Sequence, residues 1–208
     1  MSTSEGISLE FEAGKQLVRT ARRSVDGAVI DDAEPSAPTD HPPSLGDQRG
    51  AFVTLRKEGD LRGCIGEPSP TQPLIESVVS AAVGAATRDP RFPPVRESEL
   101  DSITVEVSAL TSPVSIVAED PAEIVDRVNV GHDGLIIDGD GRSGLLLPQV
   151  PVEQGWAAEQ FLAETCRKAG LLADYWRTDD VTIKRFSVDR FEEREPRGEV
   201  VTGDVLDD

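Results

Sequence analysis

With 208 residues the chain can build one sizeable core, or one core with a smaller lobe, and is too short for two large independent domains. Its 21 lysines and arginines against 39 aspartates and glutamates give a formal net charge of −18, which disfavours anionic partners in dilute buffer. No apolar run approaches the roughly 20 residues needed to span a bilayer, and Met1-Ser2-Thr3-Ser4-Glu5 has neither a basic region nor a hydrophobic segment, so a cytoplasmic chain without a membrane partner is expected.

Lysine is scarce, at Lys15, Lys57, Lys168 and Lys184 only, and an acidic, lysine-poor surface is what stays hydrated in concentrated salt. This predicts a halophilic, salt-in cytoplasm. At molar salt the Debye length falls to about 3 Å, so the charge no longer excludes nucleic acid, although an aromatic content of 4% offers little for stacking bases. The two cysteines, Cys64 and Cys166, make neither a disulfide framework nor a zinc site, and both are expected reduced, with no metal and no cofactor.

From Ser8 to Val29, Leu9, Ala13, Leu17, Val18, Ala21, Val25 and Ala28 recur at helical spacing, with Arg22 and Arg23 late in the helix. The segment 31–49 follows, acidic and rich in proline, an irregular insertion whose charge fits salt adaptation. Two strands, Ala51 to Arg56 and Leu61 to Ile65, flank Glu58-Gly59-Asp60, a hairpin signal in which Gly59 supplies positive φ.

The second of these strands carries Leu61-Arg62-Gly63-Cys64-Ile65-Gly66. Alternation puts Arg62, Cys64 and Gly66 on one face, and a guanidinium one pleat away favours thiolate over thiol. Gly63 and Gly66 leave room beside the backbone for a packed element or a ligand. The plainer alternative makes Cys64 a small core hydrophobe and Gly66 a turn residue.

Pro73 to Ala86 reads as an alanine-rich helix. The loop Thr87-Arg88-Asp89-Pro90-Arg91-Phe92-Pro93-Pro94-Val95 then presents Arg88 and Arg91 for an anion or over Cys64; alternatively Asp89 pairs with an arginine and Phe92 plugs the core. Ile103 to Leu110 alternates as a half-buried strand with Glu106 at the middle of its polar face, a candidate acid or base. A short strand at Val114 to Val117 and a helix from Pro121 to Arg127 come next.

Gly131-His132-Asp133-Gly134 precedes a second hairpin, Leu135 to Ile137 and Gly144 to Pro148. His132 is the one histidine outside the acidic insertion, hence the candidate imidazole for a Cys-His pair, with a surface turn histidine as the alternative. The aspartates of the turn lack the spacing of a calcium loop. The stretch from Pro148 through Gln149 to Trp156 leads into a helix ending at Ala169, with Cys166 on its apolar stripe; Val181 to Ser187 is a last strand, and 192–208 an acidic, mobile tail.

The RGCIG strand, Arg88-Asp89-Pro90-Arg91-Phe92-Pro93-Pro94, then Leu145-Leu146-Leu147-Pro148-Gln149-Val150 with Glu153 and Trp156, and Cys166-Arg167-Lys168-Ala169-Gly170-Leu171 follow one another in an order that resembles the AMMECR-type domain family, named for a human chromosomal region. The chain is thereby identified as a halophilic archaeal member, with the domain over 1–191. The resemblance implies an α+β fold of two lobes, antiparallel sheets flanked by helices, with the motif around Cys64 near a groove. It also implies Memo-like and radical-SAM partners and a role in nucleic-acid modification, any radical chemistry belonging to the partner.

Two functions are therefore expected to compete. In the first, Cys64 is a nucleophile or thiolate acceptor, Arg62 with Arg88 or Arg91 lowers its pKa, and Glu106 or His132 moves protons. In the second, the arginines, Gly63, Gly66 and Gln149 form a binding module for an anionic ligand or a partner protein, with no chemistry.

Overall fold

In the computed structural model, residues 8–31, 35–68, 72–118 and 120–203 are described. Helix α1 (Phe11–Ile30) buries Leu17, Val18, Ala21 and Val25 completely, as their spacing on one face requires. It starts later than Ser8 because the backbone N–H of Leu9 is held by the Asp189 carboxylate instead of entering the helix. Of the acidic insertion, residues 32–34 lie outside the described residues; the rest is irregular apart from a 3₁₀ turn, Pro43–Leu45, whose Leu45 is fully buried and ties the segment to the core.

Strands β1 (Ala51–Lys57) and β2 (Asp60–Glu67) form the first hairpin, with Glu58 and Gly59 both at positive φ, 55° and 90°. Helix α2 (Leu74–Thr87) follows, then a 3₁₀ turn and β3 (Ile103–Leu110). The next group is β4 (Val114–Ser115), α3 (Pro121–Asp126), β5 (Gly134–Gly139), β6 (Arg142–Leu146), α4 (Gln149–Glu153), α5 (Ala158–Lys168) and β7 (Thr182–Phe186). The chain ends in β8 (Val188–Glu193) and β9 (Val200–Thr202).

These elements make an α+β fold with two antiparallel sheets, ordered β2-β1-β3-β8-β9 and β4-β7-β5-β6. Contacts divide them between two units, Ser8–Leu110 with Asp189–Asp204 in one and Thr111–Val188 in the other. In the first, α1 and α2 cover one face of the five-stranded sheet, burying Val53, Leu55, Val105 and Val107. In the second, Phe161, Leu162 and Cys166 of α5 pack on Leu135, Ile137 and Ile183, so Cys166 is a core residue.

Two expectations need correction. The strand at Val114 to Val117 has two residues only. The helix ending at Ala169 is present as α5, and the stretch leading into it holds a further short helix, α4, set apart from it at Gly155 with φ 67°. The tail does not begin at Glu192 among the described residues: β8 runs through Glu193 and pairs with β9, Phe191↔Thr202 to Glu193↔Val200. Two of its first carboxylates are partnered rather than solvated, Glu192 by Arg190 and Glu193 by Arg22. The Phe191 ring fills the space a Cβ at Gly14 would occupy, and the Glu193 carboxylate is bound by Arg22.

Candidate functional site

Strand register brings the central residues together. Thr54 lies opposite Cys64 on one side and Glu106 on the other, so the three side chains form a row across β2, β1 and β3 on the sheet face turned away from α1 and α2. Thr54 Oγ1 donates to Cys64 Sγ at 3.4 Å. Glu106, 7% exposed, meets Arg190 of β8 at 2.9 Å and Arg56 at 3.6 Å, and Ser108 Oγ donates to it at 3.4 Å. The carboxylate expected to work as an acid or base is therefore the hub of an ion-pair network.

Strand β2 is an edge of its sheet, so Cys64 has a backbone N–H and C=O facing away from β1. Both are taken by side chains from the loop after α2. Asp89 Oδ2 accepts from the Cys64 N–H at 2.8 Å, and Arg91 Nη2 donates to the Cys64 carbonyl at 3.2 Å. Asp89 and Arg91 are joined to each other at 2.7 Å, and the Arg91 N–H also donates to Asp89 Oδ1 at 3.0 Å. The pair does what a neighbouring strand would do. Hydrogen bonds from Arg91 and from the Cys64 amide hold the buried Asp89 carboxyl far below the usual carboxylate range. Phe92 does not plug the core; it is half-buried, with the Arg91 guanidinium 5.6 Å from its ring centre.

Arg62 behaves differently from its alternation. The ladder slips between Leu55 and Arg56, pairing Leu55 with Gly63 and Arg56 with Leu61, so Arg62 is the extra residue of a β-bulge. The bulge aims it at Glu99, bound through Nε and Nη2 at 3.1 and 3.0 Å, and at the carbonyls of Pro93 and Pro94. With Lys57 at 3.2 Å on the same carboxylate, Glu99 is lowered to about 2, chiefly by Arg62. Arg62 thus fastens the proline loop to the strand.

The thiol follows from these commitments. Burial pushes the Cys64 pKa above its ordinary value; the Thr54 hydroxyl and Arg91 pull it down, while Glu106 and Asp89 add to the rise. The space beside the two glycines belongs to the protein: a Cβ at Gly63 would strike the Ala85 carbonyl of α2, and one at Gly66 the Ala51 carbonyl and the Phe52 ring. Arg88 is exposed, its Nη2 3.4 Å from the Ser80 carbonyl.

His132 and Gln149 belong to the other unit. His132 is exposed in a turn, with Nδ1 3.2 Å from Asp133 Oδ1, and Gln149 opens α4. Among the described residues, no group of three or more His, Cys, Asp or Glu is placed to hold a metal ion, and no helix is long and apolar enough to cross a membrane. The residues that sequence reasoning passed over are Thr54, Glu99 and Arg190, each polar on a strand or turn that gave no motif, and Asp89 as the partner of the Cys64 amide.

The AMMECR1 family model matches residues 18–191. The chain is 48% identical over 197 residues to a protein of Thermococcus onnurineus (strain NA1), the match covering 92% of this chain and 96% of that one. It is 44% identical over 211 residues to Protein MK0488 of Methanopyrus kandleri, with 98% and 99% covered. The fold is similar to the crystal structure of an uncharacterized protein, PH0010, from Pyrococcus horikoshii, at a TM-score of 0.81 and 45% identity, covering 95% of this chain and 100% of that one.

Proposed function

The chain belongs to the AMMECR1 family, and we propose that its RGCIG strand serves as a binding module, with Cys64 a neutral thiol in a rigid recognition surface for a partner protein. One observation carries this reading. The cations around Cys64 are committed to protein groups, Arg62 to Glu99, Arg91 to Asp89 and the Cys64 carbonyl, and Arg190 to Glu106. Each of these three is engaged by a carboxylate or a carbonyl of the protein rather than left for an anionic ligand. Preorganised by these pairs, the strand loses little freedom on docking. The Memo-like and radical-SAM proteins implied by the sequence resemblance are the first partners to test.

The thiol-enzyme reading keeps one supporting feature, since the Thr54 hydroxyl and Arg91 both favour the thiolate. A single titration separates the two. Alkylation of Cys64 followed by mass spectrometry against pH, with buried Cys166 as internal control, is expected to give a midpoint above the roughly 8.5 of a free thiol. A midpoint well below it makes Cys64 a nucleophile and overturns the binding-module reading.

A further inference from the structure

The unit that holds Cys64 also carries a groove of about 690 Å³ between α1 and the β8–β9 hairpin, lined by Lys15, Arg19, Arg22, Arg23, Glu193, Arg197 and neighbouring polar residues. Five cations face two carboxylates there, Glu193 and Glu199, in a chain whose net charge is −18.

Two of the five are fixed. Arg22, 7% exposed, is bound to Glu193 on the groove floor, and Arg197 lies between Asp26 and Asp101, each at 2.8 Å. Asp26 and then Asp101 raise the Arg197 pKa, so it stays charged. The other three form a row on α1. Among the described residues, Lys15 reaches the exposed Glu12, at 3.4 Å, and lies 6.0 Å from the centre of the Phe11 ring; Arg23 reaches the Thr20 hydroxyl, at 3.5 Å; and exposed Arg19 has no hydrogen-bond or ion-pair partner.

Spacing i, i+4, i+8 stacks Lys15, Arg19 and Arg23 about 6 Å apart along the axis. Like charges so placed weaken a helix, so the row is not explained by helix stability. An anion lying along it would relieve that repulsion and gain charge-assisted hydrogen bonds.

We propose that this groove binds a small polyphosphate compound, whose successive phosphate groups meet Lys15, Arg19 and Arg23 against the fixed wall of Arg22 and Arg197. Its volume falls within the range of small-molecule sites, and apart from Val200 its lining is polar or glycine. A long polyanion such as RNA would extend onto the acidic remainder of the surface and be repelled. The proposal is independent of the role of Cys64.

Inorganic tripolyphosphate is the probe, titrated calorimetrically without divalent metal at about 0.1 M salt, where the Debye length is about 10 Å. Wild-type protein is expected to bind it saturably. Arg19→Ala and Arg23→Ala should each weaken binding about tenfold or more, whereas Arg167→Ala, on α5 of the other unit, should not. Thermal unfolding of the free variants confirms that they fold. Absence of binding, equal affinity in all variants, or tighter binding of a single-stranded oligonucleotide than of tripolyphosphate would each overturn the proposal.

Discussion

Around Cys64, Arg62 meets Glu99, Arg91 meets Asp89 and Arg190 meets Glu106, whereas along α1 the row Lys15, Arg19 and Arg23 has almost nothing to meet. The first region turns arginine into structure: it closes a sheet edge, fastens a loop and neutralises a buried carboxylate. The second leaves charge facing solvent at a cost to its own helix. Arginine content alone would rank the two alike, and only the carboxylates within reach tell them apart. Substitutions in the first region should therefore lower stability, and those in the second should act on binding.

The largest effect is expected from Asp89→Ala. It strips the Cys64 amide of its acceptor and leaves Arg91 without its carboxylate, breaking a pair whose acidic member is buried. A loss of about 3–4 kcal/mol in denaturant unfolding is expected. Asp89→Asn keeps a carbonyl acceptor and should recover part of it. A change within about 0.5 kcal/mol for Asp89→Ala would mean that the clamp is not structural, and the comparison would break.

Next is Glu99, where the effect depends on pH. Its folded pKa, about 2, lies below the ordinary 4.5, so its contribution is fully present above the unfolded value and is lost as pH falls toward 2. The difference corresponds to about 3 kcal/mol. Unfolding of wild type and Glu99→Gln should differ by roughly that amount near neutrality and converge as pH falls below about 4. A gap independent of pH would show that Arg62 is held by its carbonyl contacts and not by charge.

Gly63→Ala should follow at about 1–3 kcal/mol, because the Ala85 carbonyl that its methyl would strike is helix backbone and cannot swing aside. An unchanged unfolding midpoint would mean that α2 can shift away from β2.

These cases also mark how far the sequence could be read. Periodicity locates α1, α2, β3 and the hairpins, because apolar residues on one face must be buried whatever the rest of the chain does. It misses β8 and β9, where Asp189, Arg190 and Glu193 look solvated until their partners Arg49, Glu106 and Arg22, far away in the sequence, are in place. Arg22 misleads in the same way: it sits late in α1 like any surface cation, yet it is buried against Glu193. At the candidate site the Asp89 pairing with an arginine is legible, since Arg91 is two residues on. The destination of Arg62 is not, because alternation presumes an unbroken ladder and a bulge re-aims the side chain that alternation had set beside Cys64.

The smallest effect has the opposite sign. Arg19→Ala removes the middle cation of the α1 row, and with it two like-charge neighbours at i, i+4, while placing the best helix former at an exposed position. The free protein should become more stable by about 0.5 kcal/mol at low ionic strength, and the electrostatic part of the gain should vanish in molar salt, where screening already removes the repulsion. Arg62→Ala, by contrast, should destabilise in both conditions, because its partner is largely buried and its guanidinium also carries two carbonyls. Should Arg19→Ala destabilise by as much as a residue of the Cys64 region, the α1 row would be structural too, and the distinction between committed and available arginines would collapse.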